Sequence, residues 1–174
     1  NFKSIRFERP SYASKWLMGQ FDPISGQVPN LGHNDGSLIL PFCAAPYNDY
    51  KPILQAASRV FLDEPALDPG PWAGLCIWLG IPVEEKQKKP PSLLVNPSTL
   101  RIGNIDAWAS LRTARFTSRP AHADQLHVDL WYRGYNISLD AGTFQYSAPP
   151  PWDNGLAQTM VHNTVMINEK NQMY

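Results

Sequence analysis

The sequence predicts an α+β protein, helical in its first half and an antiparallel sheet in its second, and two contrasting periodicities predict it. After Pro52, the stretch ILQAASRVFL places Ile53, Ala56, Ala57, Val60 and Phe61 at helical spacing. Toward the C-terminus, apolar and polar residues alternate instead, in short runs rich in aromatic and β-branched side chains. A charged, proline-containing spacer, PVEEKQKKPPS at residues 82–92, separates the two regimes, so the boundary is placed there. The expected division is a helical part over 1–81, a linker over 82–92 and a β-sheet domain over 93–174.

The elements follow in order. PNLGHNDGS, from Pro29 to Ser37, packs Pro, Gly, Asn and Asp into a loop ahead of the apolar segment SLILPFCAA. Pro52 lies in the first turn of the amphipathic helix, where its missing N–H costs nothing. A second short helix is expected from Pro71 to Leu79, where PWAGLCIWL is apolar nearly all round and therefore expected to be buried. Strands are expected in AWASLRTARF, QLHVDLWYRG, NISLDAGTF and HNTVMIN. Leu126, Val128 and Leu130 share one face, and the Arg133, Gly134 turn leading into Ile137 and Leu139 reads as an antiparallel hairpin.

Composition narrows the function. With 43% apolar residues and no low-complexity tract, the chain can bury a core. Fifteen basic and fifteen acidic side chains cancel, and no basic run is denser than Lys86, Lys88 and Lys89, so a nucleic-acid partner is not expected. No apolar run approaches the roughly 20 residues that span a bilayer. The opening NFKSIRFERP lacks the order of a signal peptide, and the chain is expected to be a fragment of something longer. Cys43 and Cys76 sit in apolar settings and read as free thiols, which leaves the compartment open.

Chemistry concentrates in the C-terminal half. His122 precedes a strand, Asp140 closes the second arm of the hairpin, and His162 opens the next run, so three strand ends can converge on one point. Two imidazoles and a carboxylate suit zinc or another borderline divalent ion, with a fourth position for water or another group. The alternative is that each histidine caps a strand through ordinary hydrogen bonds. His122, Ala123 and Asp124 also spell His-x-Asp, and with His162 they imitate the two-histidine, one-carboxylate triad of non-haem iron oxygenases. The arginine expected after the second histidine of such enzymes is absent, because none follows Arg133. If Asp124 is not a ligand, it can orient a ligating histidine from outside.

Four segments, PNLGHNDGSLILP, YNDYKPILQAASRVF, RPAHADQLHVDLWYRGYNISLDAGTFQY and VHNTVMINEKNQM, resemble in order the heparinase II/III-like polysaccharide lyases. The resemblance covers most of residues 27–174 and is most specific in the His-Ala-Asp, Asp-x-Gly-Thr and His-Asn-Thr segments. It implies an (α/α) toroid joined to an antiparallel β-sandwich, with this chain spanning the last toroid helices and the first sandwich strands. It also implies a structural zinc at His122, Asp140 and His162, and a periplasmic or secreted protein. The implied reaction is β-elimination on an acidic, uronate-containing polysaccharide. A base removes the proton next to the carboxylate and the glycosidic oxygen leaves, so charge spreading into the enolate must be stabilised. The base must work well below the free tyrosine pKa of about 10.

By that resemblance, Asn30 corresponds to the family's charge-stabilising Asn, Tyr50 to its tyrosine with Tyr47 as the fallback, and Tyr146 to the acid that protonates the leaving oxygen. His33 and Arg119 are candidate contacts for the substrate, and Trp131, Tyr132 and Trp152 are candidates for stacking on sugar. Two departures stand out. Pro120 occupies the first position of a motif that is often His-x-His, and Leu31 follows Asn30 where a His is frequent. A remodelled or weakened active site is therefore expected, and a non-catalytic relative that binds acidic polysaccharide is the alternative reading.

Overall fold

The computed structural model describes residues 7–32, 34, 36–39, 41–83, 99–115, 121–145, 148–150, 152–153 and 155–172. The chain divides into two compact units, the first comprising Asn1–Phe21, Gly26–Val28 and Leu38–Leu94, the second Asp22–Ser25, Pro29–Ser37 and Val95–Tyr174. Two short segments of the expected helical part, Asp22–Ser25 and Pro29–Ser37, fall in the second unit, and residues 84–92 of the expected spacer lie outside the described ones.

The first unit is helical: α1 spans Glu8–Gln20, α2 Lys51–Phe61 and α3 Gly74–Trp78, the last entered through a 3-10 turn at Pro71–Ala73. The expected helix after Pro52 is α2. Its start is fixed by Asp49, whose Oδ1 accepts the Lys51 N–H at 3.0 Å, and by Pro52 in the first turn. Its buried stripe carries Leu54, Ala56 and two polar side chains, Gln55 and Ser58. Gln55 Oε1 accepts the N–H groups of Ala66 and Leu67 at 3.0 and 2.9 Å, and Ser58 Oγ donates to Glu64 O at 2.6 Å. These bonds tie the loop that follows α2 to the helix, which is why polar residues sit inside at no net cost. Ala56, Leu75, Cys76 and Ile81 form the apolar cluster.

Two expectations change here. Helix α1 was not foreseen, because ERPSYASKWLMGQ carries a proline in its first turn and little apolar periodicity. And α3 is not buried all round: Leu75 and Cys76 point inward while Ile77, Trp78 and Leu79 are exposed. An apolar run marks burial only where neighbours cover every side, and a five-residue helix offers only part of its surface to α2.

The second unit is built on a four-stranded antiparallel sheet in the order β1 (Thr99–Gly103), β2 (Ala107–Arg112), β3 (Val128–Tyr132) and β4 (Tyr135–Ser138). The hairpin between β3 and β4 turns through Arg133 at φ 48° and Gly134 at φ 84°, the left-handed pair that a two-residue antiparallel connection requires. Strand β1, TLRIG, was not anticipated. The register pairs Trp108 with Trp131 and Ser110 with Asp129, while Ala109 faces Leu130 and Leu111 faces Val128. Consequently the apolar alternation of Val128 and Leu130 marks the exposed face, and the buried face carries Asp129 and Trp131.

That buried face starts with an aromatic floor. The indoles of Trp108 and Trp131 stack with centroids 5.1 Å apart and planes 5° from parallel, and Arg101 lies over Trp108 at 3.6 Å. Such contacts contribute about 0.5–1.5 kcal/mol each beyond the area they bury. Trp108 Nε1 donates to the buried Asp22 Oδ2 at 2.9 Å, and Asp22 Oδ1 accepts the Ser25 N–H and Oγ–H at 2.7 and 2.8 Å.

The fourth expected strand, HNTVMIN, is not one. Residues 159–161 form a 3-10 turn, and beyond His162 the pairing is reduced to a single bridge between Ile167 and Lys170 around Asn168 and Glu169, both left-handed. Val165, Met166 and Ile167 are exposed, so β-propensity alone did not recruit them to the sheet.

Candidate metal centre

Backbone bonds gather the site from three directions. Ala123 N–H donates to Ala157 O at 2.8 Å and Thr159 Oγ donates to Ala123 O at 2.9 Å, which fastens the His122 segment to the turns at 155–161. Val128 N–H donates to Asn163 O at 3.0 Å, which fastens the residue after His162 to the start of β3. Asp140 follows β4, and its Oδ1 accepts the Gly142 N–H at 2.7 Å, closing a tight turn through Gly142 at φ 73°.

These ties bring His122, Asp124, Asp140 and His162 together, all buried, each offering a donor atom within 4.8 Å of the others. His162 Nε2 lies 3.0 Å from Asp140 Oδ2, His122 Nδ1 lies 3.5 Å from Asp140 Oδ1, and the two ring nitrogens are 3.3 Å apart. His162 Nδ1 donates to Gln158 O at 2.7 Å, and since a carbonyl only accepts, Nε2 of the neutral ring is left with its lone pair facing the site. A lone pair facing a carboxylate and a second imidazole needs a proton or a cation between them. Borderline divalent ions are what such a nitrogen and oxygen donor set suits.

Protonation in the metal-free site follows the same geometry. Burial would raise the Asp140 carboxyl, but hydrogen bonds from His122, His162 and the Gly142 N–H outweigh it and hold the group well below the usual carboxylate range. Burial would lower His162, yet its bond to Asp140 prevails and the ring is raised above its ordinary value. Asp124 moves upward, because its burial dominates over the Arg112 guanidinium that pairs with its Oδ2.

The expected trio His122, Asp140 and His162 is therefore assembled, although His162 follows a 3-10 turn instead of opening a strand. Asp124 joins as a fourth member, so the cluster also contains His122, Asp124 and His162, the set named for the oxygenase alternative, with Asp140 beside them. Two residues went unnoticed in the sequence. His127 is buried, its Nδ1 accepts the Asn163 N–H at 3.1 Å, and its Nε2 lies 3.6 Å from Asp129 Oδ2. Asp129 Oδ1 in turn accepts from Asn136 Nδ2 at 2.7 Å. The signal was the polar half of the β3 alternation, His127 and Asp129 between apolar neighbours.

The other candidates are distributed. Asn30 belongs to the second unit and lies at the Asp140 turn, since a Cβ added at Gly142 would land on its amide nitrogen. Tyr50 belongs to the first unit, caps α2, donates its N–H to Gly26 O at 2.8 Å, and has its phenol pushed upward by burial and by Tyr47. Trp131 is 1% exposed and packed on Trp108, so its ring serves the core and not a sugar face. Tyr132 and Trp152 are exposed. His33, Arg119, Pro120 and Tyr146 lie outside the described residues.

The β-rich unit thus gathers two histidines and two aspartates into one buried knot, a group of residues that could hold a metal ion. Residues 106–174, which hold that knot and three of the four strands, match the family model described as heparinase II/III-like, C-terminal. Among solved structures, a heparinase III with methylated lysines is similar at a TM-score of 0.59 and 15% identity, over 90% of this chain and 23% of that one. A mutant of the heparan sulfate lyase HepC from Pedobacter heparinus is similar at a TM-score of 0.55 and 22% identity, over the same shares. The unmutated HepC is similar at 0.52 and 22%, over 87% of this chain and 23% of that one. This chain thus spans about a quarter of the length of the solved chains it matches, and at these identities the likeness is one of fold. Comparison with curated proteins finds no match.

Proposed function

We propose that this chain is part of a polysaccharide lyase that cleaves an acidic, uronate-containing glycan by β-elimination. One observation carries the reading: the segment matching the heparinase II/III-like family is also the segment that folds His122, Asp140 and His162 into one cluster. In this reading the helices belong to the end of an (α/α) toroid and the sheet to a β-sandwich. The protein acts outside the cytoplasm, in the periplasm or after secretion. No helix among the described residues is long and apolar enough to cross a membrane.

The residues would divide the work as follows. Asn30 donates its amide hydrogens to the uronate carboxylate and stabilises the charge that spreads onto it as the adjacent C–H is broken. Tyr50 takes that proton. Because burial raises its phenol, the pull of the bound substrate and its partners must lower it before it can act as a base near neutrality. Tyr146 protonates the departing glycosidic oxygen, and His33 and Arg119 contact the substrate. A divalent ion such as zinc, held by His122, Asp140 and His162, supplies cross-linking of the segments and not chemistry on the sugar.

Each elimination leaves an unsaturated uronate that absorbs in the ultraviolet, so incubation of the full-length protein with a panel of acidic glycans tests the reading directly. New absorbance on a polyuronide is the expected result. Binding without new absorbance on every member of the panel refutes it in favour of a non-catalytic glycan-binding protein, the reading that Pro120 favours by standing where the family often has His.

A further inference from the structure

We propose that Gly32 is a positioning residue: by seating the 29–32 segment directly on Ala121, it sets the direction in which the Asn30 carboxamide points. This rests on the reading that Asn30 bonds the uronate carboxylate. Two glycines of the second unit enclose the segment. Gly32 is buried at φ 104°, a left-handed backbone that a side chain adopts only under strain. A Cβ built on it would lie 2.9 Å from the Ala121 Cβ, well inside the roughly 3.5–4.0 Å at which two carbons rest. The second is Gly142, at φ 73°, whose added Cβ would land on the Asn30 amide nitrogen and lie 3.6 Å from its Cγ. The segment therefore touches down twice, once through the backbone of Gly32 and once through the side chain of Asn30 itself.

The two seats are coupled. Ala121 precedes His122, Gly142 follows Asp140 by two positions, and His122 Nδ1 lies 3.5 Å from Asp140 Oδ1. Asp140 Oδ1 also accepts the Gly142 N–H at 2.7 Å, so buried side chains hold the spacing between the seats. Pro29 is buried too, and its ring locks the backbone just ahead of Asn30. Among the described residues none hydrogen-bonds the half-buried Asn30 side chain, so contact directs it and its amide hydrogens stay available to a carboxylate. Any side chain at position 32 would lift the segment off Ala121 and turn that amide away from Gly142. Restoring ordinary carbon contact takes a shift of roughly 1 Å, a misplacement that can cost an enzyme about 100-fold. Because Asn30 meets charge that develops in the transition state, the loss falls on kcat more than on KM.

Kinetics of the full-length protein test this, on whichever of heparan sulfate, hyaluronan, alginate and polygalacturonate it converts to unsaturated uronate. The variants are Gly32→Ala, Gly32→Ala combined with Ala121→Gly, and Gly80→Ala. Gly80 is also left-handed, at φ 65°, but no atom lies within 4 Å of its added Cβ, so this control carries the strain without the contact. Gly32→Ala should lower kcat by roughly 10–100-fold and move KM by no more than about twofold. Adding Ala121→Gly removes the methyl group that the new Cβ meets, and should recover about tenfold in kcat while the melting point stays lowered. Gly80→Ala should lower the melting point and leave kcat unchanged. If Gly32→Ala fails to fold, Ala121→Val enlarges the same contact from the other side, without strain at position 32, and should lower kcat in the same way. Parent kcat in the variant that folds, or a fall in kcat that Ala121→Gly does not relieve, overturns the positioning role while leaving the lyase reading intact. A parent protein that cleaves none of the four glycans refutes the lyase reading and this inference with it.

Discussion

Substituting Gly142 by alanine separates the geometry of the Asp140 turn from its chemistry, since the substitution adds one methyl and no charge. Gly142 sits at φ 73°, where an alanine costs about 1–2 kcal/mol relative to glycine. Its new Cβ would also land on the Asn30 side-chain nitrogen, so the amide must move or the turn must open. Opening the turn lengthens the bond from Gly142 N–H to Asp140 Oδ1, now 2.7 Å, one of the interactions that holds the Asp140 carboxylate ionised. For a chain of this size each kcal/mol moves the midpoint by about 2–4 °C, so the protein should melt about 2–8 °C lower. Co(II) affinity should fall as well. Melting followed by circular dichroism and a Co(II) titration measure the two effects, with Gly19→Ala as the control. No atom lies within 4 Å of a Cβ placed at Gly19 in α1, so that change should be neutral or stabilise by up to about 1 kcal/mol. A Gly142→Ala protein with parent melting point and parent affinity would refute the argument, because neither the left-handed backbone nor the Asn30 contact would then matter.

Three further outcomes are expected. His162→Ala should abolish stoichiometric metal retention in elemental analysis, and full occupancy in that variant would remove His162 from the site. In the chelated, metal-free protein, Asp140 is held below its ordinary 3.8, so its contribution is present above that value and fades as pH falls through the folded pKa; His162 is raised above 6.5, so its contribution is full below 6.5 and is lost as pH rises through the folded pKa. Unit 2 without metal should therefore be most stable between about pH 4 and 6.5, and a melting point that climbs steadily into alkaline solution would contradict the pairing. Trp108→Phe keeps an aromatic ring but removes the donor to the buried Asp22 Oδ2, and should cost about 1–3 kcal/mol by chemical denaturation.

Helix α2 was legible because Pro52 and the spacing from Ile53 to Phe61 act locally, and the β3–β4 hairpin because Arg133 and Gly134 supply the turn. The metal-type trio was legible as residue types at expected strand ends. What could not be read was anything set by distant partners. Leu79 and Trp78 are as apolar as Leu75, yet only packing decides which side of α3 is covered. Asp124 was placed as an alternative ligand or a helper because sequence spacing cannot show that it and Asp140, sixteen positions apart, converge. HNTVMIN has the composition of a strand, but strand formation needs a neighbouring edge, and its residues meet only a single bridge.

The same limit explains the inverted sheet. Alternation in QLHVDLWY was read for its apolar members, whereas the buried members are His127, Asp129 and Trp131. On this face the interior is polar: Arg112 pairs with Asp124, His127 lies beside Asp129, and His122 and His162 lie beside Asp140. An apolar interior loses stability in proportion to the volume removed, so one substitution is tolerated locally. A charged interior behaves differently, because deleting one member leaves its partner buried and unpaired, at about 3–5 kcal/mol for a fully buried pair. His122 and His162 share Asp140, so removing Asp140 takes a carboxylate partner from two buried imidazoles at once. Under the proposed reading a cation would engage His122, Asp140 and His162 together, which makes metal retention, more than the melting point of any single variant, the test of that reading.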